Sequence, residues 1–241
     1  MKTVAWFSGG ASSALAIKAI IKEVDQIIYI HIDDQHPDTM RFIYDCEKWF
    51  GKPVEIMQSP YKCVEHACMG AAYINGVHGA ACTRLLKRRV REEWEMNQTE
   101  SIRYIWGMDT TEQNRCARLN ESMPTFEHVF PLVDKGISKA GAHMILNANG
   151  IKRPAMYDLG YHNNNCVGCL KGGQAYWNKI RKDFPFVFES RAKLERVIGH
   201  SAIKGIFLDE LNPLQGKHEP PIVADCGILC EMLIMEPGYE I

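Results

Sequence analysis

No apolar run in this 241-residue chain approaches the roughly 18 residues needed to span a bilayer. Even the stretch from Ile17 to Ile32 is broken by Lys18, Lys22, Glu23, Asp25 and Gln26, so no membrane partner is expected. The start lacks a signal-peptide core, because Val4-Ala5-Trp6-Phe7 runs straight into Ser8-Gly9-Gly10, and a cytoplasmic setting is expected. Charge of one sign is missing too. A formal net charge of -1 and a pI near 6.7 provide no global field toward nucleic acid or an anionic surface and leave only local patches. Internal repeats and low-complexity tracts are absent. Nine scattered cysteines, an odd number, argue against a disulfide framework and for metal binding, thiol chemistry or core filling.

What is present is an alternation of strand and helix. Residues 2–7 read as a short buried strand, and residues 11–21 carry apolar positions at helical spacing. Residues 27–32 form a second β-branched run ending in Asp33-Asp34, followed by His36-Pro37-Asp38 and a helix through Phe50. A third strand is expected at Val54-Glu55-Ile56-Met57, a charged helix at 84–95 and a further strand at 102–107. This rhythm predicts an α/β fold, doubly wound with a mainly parallel sheet and ligand sites beyond the strand carboxyl ends, where Gly10, Asp33 and Gly107 fall. Past Asp134 the texture changes. Residues 138–149 read as a helix, 160–173 as a polar glycine-rich stretch, and 193–203 as another helix, so residues 1–134 are assigned as a nucleotide-binding domain and 135–241 as a cysteine-containing helical and loop appendage that binds substrate or metal.

Ser8-Gly9-Gly10-Ala11-Ser12-Ser13 lies where the first strand enters the first helix. Such a turn aims backbone N–H groups and the positive end of the helix dipole at one point, which suits a phosphate. Ser8, Ser12 and Ser13 add hydroxyls, and the Lys-Ser/Thr ending of a Walker loop is missing. Asp33 is a candidate for a ribose or a metal ion. Gly107 follows a strand, and Arg115 with Arg118 offers two guanidiniums on one helical face for phosphate or sulfate.

Cys166-x-x-Cys169 and Cys226-x-x-x-Cys230 are two chelating pairs, enough for a tetrahedral Zn2+ site or an iron-sulfur cluster. Cys82 is a candidate ligand or nucleophile. Cys46, Cys63, Cys68 and Cys116 have no partner spacing and read as small buried hydrophobes. Lys87-Arg88-Arg89 and Arg91 read as a solvated helix face because Glu92, Glu93 and Glu95 follow. Lys171, Lys179, Arg181 and Lys182 make the better basic patch.

Phe7-Ser8-Gly9-Gly10 with Ser12-Ser13 resembles the PP-loop of the phosphoadenosine phosphosulfate (PAPS) reductase family, which belongs with the ATP pyrophosphatases and adenine nucleotide α-hydrolases. His36-Pro37-Asp38, Asp45 to Phe50, Cys82-Thr83, Tyr161 with Asn163 to Cys169, and Lys171-Gly172-Gly173 through Trp177 to Arg181 resemble a phage- or plasmid-type branch of it. Two departures stand out. Many ATP pyrophosphatases carry aspartate where Ser12 stands, and the sulfonucleotide reductases use a cysteine in a C-terminal Glu-Cys-Gly tail, whereas residues 235–241 contain none.

The resemblance implies an enzyme that binds ATP with Mg2+, or PAPS or adenosine phosphosulfate (APS), at Ser8, Gly9, Gly10, Ser12, Ser13, Asp33, Gly107, Arg115 and Arg118. Asp33, Cys82 and Arg115 are its catalytic candidates. Adenylation of an acceptor with pyrophosphate release, coupled to sulfur transfer, is the leading expectation. The alternatives are sulfonucleotide reduction and a non-catalytic nucleotide- or nucleic-acid-binding module with structural zinc. Expected cofactors are Mg2+ and either a [4Fe-4S] cluster or Zn2+ on Cys166, Cys169, Cys226 and Cys230. Expected partners are an adenine nucleotide, an acceptor that includes nucleic acid among its candidates, a sulfur donor or thioredoxin-like reductant, and a second copy in a homodimer.

Overall fold

A computed structural model describes residues 1–76 and 79–216. Strand β1 (Lys2–Phe7) leads into helix α1 (Ala11–Ala19), and β2 (Gln26–His31) into α2 (Asp38–Phe50). Strand β3 (Val54–Gln58) precedes α3 (Val64–Ala71), a π-helical stretch Thr83–Arg88 and α4 (Arg89–Glu95). Strand β4 (Ile102–Ile105) is followed by α5 (Gln113–Ser122), β5 (Glu127–Val129), α6 (Pro131–Asp134), α7 (Lys139–Ala148) and α8 (Ala155–Asp158). Helices α9 (Gln174–Asp183) and α10 (Pro185–Ile198) come last among the described helices, before the 3-10 turn Leu208–Glu210.

The strands form one sheet in the order β3-β2-β1-β4-β5. Strand β1 pairs in parallel with β2, Ala5 against Ile27, and with β4, Ala5 against Ile105, while β5 runs parallel beside β4. The chain therefore winds outward from β1 in one direction and restarts at β4 in the other. Strand order reverses between β1 and β4, the place where an open α/β sheet leaves a crevice at its carboxyl edge. The doubly wound α/β fold read from the sequence is the one observed.

Two compact units make up the chain. The first comprises Met1–Ile30, Pro37–Met57 and Glu92–Leu159; the second comprises His31–His36, Gln58–Arg91 and the described residues from Gly160 onward. In the first, Phe7, Ile17, Ile27, Tyr29, Phe42, Ile43 and Ile105 form one apolar core against which α1 and α2 pack. Strands buried on both faces explain why β1 and β2 read as continuous apolar runs rather than alternating ones. In the second, Trp177, Ile180, Phe188 and Leu208 are buried, and α10 begins at Pro185, eight residues before the helix read from sequence, because proline suits a first helical position. No helix among the described residues is long and apolar enough to cross a membrane.

Candidate functional site

The turn after β1 is built by its own side chains. Gly9 takes φ +76°, a left-handed conformation that ordinary residues resist, and Gly10 in extended conformation caps α1. The Ser8 hydroxyl donates to Ser13 Oγ at 2.9 Å, and the Ser8 amide donates to the same oxygen at 3.1 Å. Gly10 N–H points back to Ser8 Oγ at 3.3 Å. Ser8 and Ser13 thus hold the turn shut, a structural use added to the phosphate contacts expected of them. Ser12 differs. It is 2% exposed, and its Oγ is buried without a hydrogen-bond partner. An orphaned buried hydroxyl costs roughly 1–3 kcal/mol, a cost that a bound anion would remove. No acidic residue occupies the first turn of α1, so nothing there opposes an anion at the positive end of the dipole.

Beside this turn lies the loop after β4. A Cβ on Gly107 would come within 2.4 Å of Ser13 Cα, so glycine is what lets the β4 loop touch the start of α1. Further along, Asp109 is buried; its Oδ1 accepts from Thr111 N–H at 2.9 Å and from the Thr111 hydroxyl at 2.7 Å. Glu112 reaches back to Asp109 N–H at 3.2 Å, and its other carboxylate oxygen takes Arg115 in a very short ion pair. Asp109 and Glu112 therefore close the turn that leads into α5. Arg115 is 8% exposed and pairs with Glu112 through Nη1. Arg118 stands on the same helix, half-buried.

Tyr157, which belongs to no sequence motif, also meets the turn. Its hydroxyl accepts the Ala11 N–H at 3.3 Å. Its sequence setting, Arg153-Pro154-Ala155-Met156-Tyr157, signals only a helix break, and nothing local tells that a phenol there meets residue 11.

The second unit holds the remaining candidates. Asp33 is exposed; Gln58 Nε2 donates to its Oδ1 at 2.6 Å, and His31 Nε2 lies 3.6 Å from that oxygen. Its neighbour Asp34 has the stronger setting. Asp34 Oδ2 accepts Val64 N–H at 2.6 Å, and Oδ1 forms a short ion pair with Arg191, which is 4% exposed. Two adjacent aspartates look alike in sequence, and only tertiary placement separates a surface group from an anchor.

Cys166 and Cys169 are both buried, and the phenol of Tyr176 ties their loop together. Cys169 N–H donates to Tyr176 Oη at 2.8 Å, and that hydroxyl donates to Cys166 C=O at 3.3 Å. Desolvation of its hydroxyl, with the two cysteines nearby, raises the phenol well above its ordinary range. Among the described residues no group of three or more His, Cys, Asp or Glu side chains gathers as a metal cage. Cys226 and Cys230 lie outside the described residues. The two described thiols have the donor chemistry of a zinc or iron-sulfur site and would supply half of its ligands.

Cys82 is half-buried just ahead of the π-helical stretch Thr83–Arg88, a rare geometry frequent at functional sites. Burial raises Cys68 to about 12 and Cys116 to about 11, and raises Cys46 still further, as fits core thiols. Cys63 departs from that reading: it is half-buried and caps α3, its sulfur accepting from His66 N–H at 3.5 Å. Lys87 and Arg91, expected on a solvated face, are instead buried, because the π-helical stretch shifts the helical register that the charge pattern assumed. In the other basic patch Lys179 pairs with Asp183 at 2.7 Å, and Arg181 donates to the carbonyls of Leu208 and Leu211.

No family model matches the sequence, and no curated protein matches it. Among solved structures, a phosphoadenylyl-sulfate (PAPS) reductase from Candida auris, in complex with phosphate, is similar to this chain with a TM-score of 0.46 and 13% sequence identity, over 67% of this chain and 79% of that one.

Proposed function

We propose that this chain is a nucleotide-dependent transferase that binds an adenine nucleotide, ATP with its Mg2+, through the Ser8–Ser13 turn. The observation that carries the reading is the turn itself: a strand-to-helix entry at the switch point of a parallel sheet, pre-closed by Ser8 and Ser13, with the buried Ser12 hydroxyl lacking a partner and no acidic residue in the helix's first turn. Such a site works by positioning and charge stabilisation. An acceptor oxygen attacks the α-phosphorus, pyrophosphate departs, and the N–H groups of the turn take up charge on the leaving phosphates. Gly107 keeps the β4 loop against that turn, and Arg115 is the first cation after that loop, paired with Glu112.

In the second half of the proposal an external persulfide donor passes its outer sulfur to a cysteine thiolate; that persulfide attacks the adenylated carbon and expels AMP, and a second cysteine thiolate then cleaves the S–S bond, leaving the sulfur on the acceptor and a disulfide that a thioredoxin-like reductant returns to two thiols. Cys82, Cys166 and Cys169 are the candidates to handle it. A metal on the cysteines would supply either structural closure or a sulfur or electron reservoir. Residues 1–134 as nucleotide domain, 135–241 as substrate and metal appendage, and a cytoplasmic setting that keeps thiols reduced belong to the same proposal. The test is pyrophosphate release from ATP by metal-replete protein across oxygen acceptors, with sulfite release from PAPS in the presence of thioredoxin run alongside. Pyrophosphate without sulfite supports the transferase; sulfite without pyrophosphate replaces it with a sulfonucleotide reductase. Neither product would leave a binding module.

A further inference from the structure

The N–H of Ala11, the first residue of α1, is one of the donors that a helix start leaves without an intrahelical partner and that a bound anion uses. Here it is taken by a phenol, at 3.3 Å. Fixed backbone brings that phenol in. Asp38 Oδ2 accepts Ala155 N–H at 2.8 Å, and Arg41 donates to the carbonyls of Lys152 at 2.8 Å and Arg153 at 3.0 Å. Asp38 and Asp45 in turn hold Arg41, at 2.7 Å and 2.9 Å. The first turn of α2 thus clamps the segment before α8, while His143 meets the Tyr157 ring edge-on at 4.5 Å. The next residue in the occupied turn, Ser12, buries its unpartnered hydroxyl.

We propose that the Tyr157 hydroxyl stands where an oxygen of the ligand's phosphate belongs, and that anion binding requires the phenol to release the Ala11 amide. The inference rests on the phosphate-binding reading above and adds a built-in competitor to it. A phosphate oxygen carries charge and forms hydrogen bonds roughly twice as strong as a neutral phenol does, so the exchange favours the anion. A neutral ligand oxygen gains nothing by it. Tyr157 thereby makes the turn selective for anionic groups and keeps its first donor satisfied until one arrives.

The test titrates the full chain as wild type, Tyr157→Phe and Arg41→Gln with inorganic pyrophosphate and with ATP plus Mg2+, with thermal melting to confirm folding. Phenylalanine keeps the ring and removes the competing oxygen, so the pyrophosphate dissociation constant falls by about 3- to 10-fold, the worth of one neutral hydrogen bond. Arg41→Gln loosens the clamp and shifts affinity the same way by less. A purely structural hydroxyl would lower the melting temperature and leave affinity unchanged. If the wild type binds both ligands while Tyr157→Phe binds them equally or more weakly, the competitor role is overturned and the phosphate turn survives. If Tyr157→Phe fails to fold, Arg41→Gln decides by the same criterion. If no form binds either ligand, the phosphate turn falls and this inference with it.

Discussion

Gly107→Ala places a methyl group where the β4 loop meets α1. The new Cβ would lie 2.4 Å from Ser13 Cα, 2.5 Å from its Cβ and 2.7 Å from its N. An ordinary carbon contact needs about 3.5 Å, so the shortfall is about 1 Å against backbone atoms that cannot rotate aside. Either the loop or the first turn of α1 must move. Overpacking of this kind costs about 1–3 kcal/mol, and a chain of this size loses about 2–4 °C of melting temperature per kcal/mol. The variant should therefore melt about 2–12 °C lower than wild type. Displacing the first turn by about 1 Å also spoils the 2.7–3.2 Å range that N–H···O contacts require, so ATP affinity should fall by more than the loss of one contact, about 10-fold or beyond. Differential scanning calorimetry and an ATP titration on the same preparation read both effects. A Gly107→Ala protein that melts with the wild type and binds ATP equally well would refute the close packing of loop on turn.

Gly9→Ala forces alanine into φ +76° with Thr39 Cγ2 only 3.2 Å from its Cβ, and should cost roughly 1–2 kcal/mol while weakening ATP binding; denaturant melts and titration check it. Asp34→Ala strands the buried Arg191 guanidinium, a loss of about 3–5 kcal/mol in urea unfolding, whereas Asp33→Ala, at an exposed site, should change stability little. Burial keeps Cys46, Cys68 and Cys116 protonated near pH 8, because their thiols ionise well above it, so brief alkylation of native protein should mark Cys63 and Cys82 ahead of these three by peptide mass mapping.

The parallel sheet was legible because β1 and β2 are largely β-branched and aromatic, and the strand-to-helix turn because Gly9-Gly10 falls between a strand and a helical run. Strand β5 has three residues and α3 carries Gly70, so neither projects enough periodicity to be read alone. The division of labour among the serines was hidden: Ser8, Ser12 and Ser13 share one chemistry, and only packing makes two of them a latch and leaves the third without a partner. Tyr157 was invisible for a different reason, since its contact with Ala11 spans 146 residues of chain. Glu112 holding Arg115 was readable as an i,i+3 pair, whereas the burial of Lys87 and Arg91 was not, because a π-helical stretch shifts the face on which each side chain emerges.

Whether the Ser8–Ser13 turn binds the phosphates of an adenine nucleotide is decided by calorimetric titration of the metal-replete chain with ATP and Mg2+, beside Ser12→Ala. Saturable binding of one nucleotide per chain is expected, with at least a several-fold loss when the unpartnered Ser12 hydroxyl is removed. Absence of binding, or binding that Ser12→Ala and Gly9→Ala both leave untouched, would contradict it.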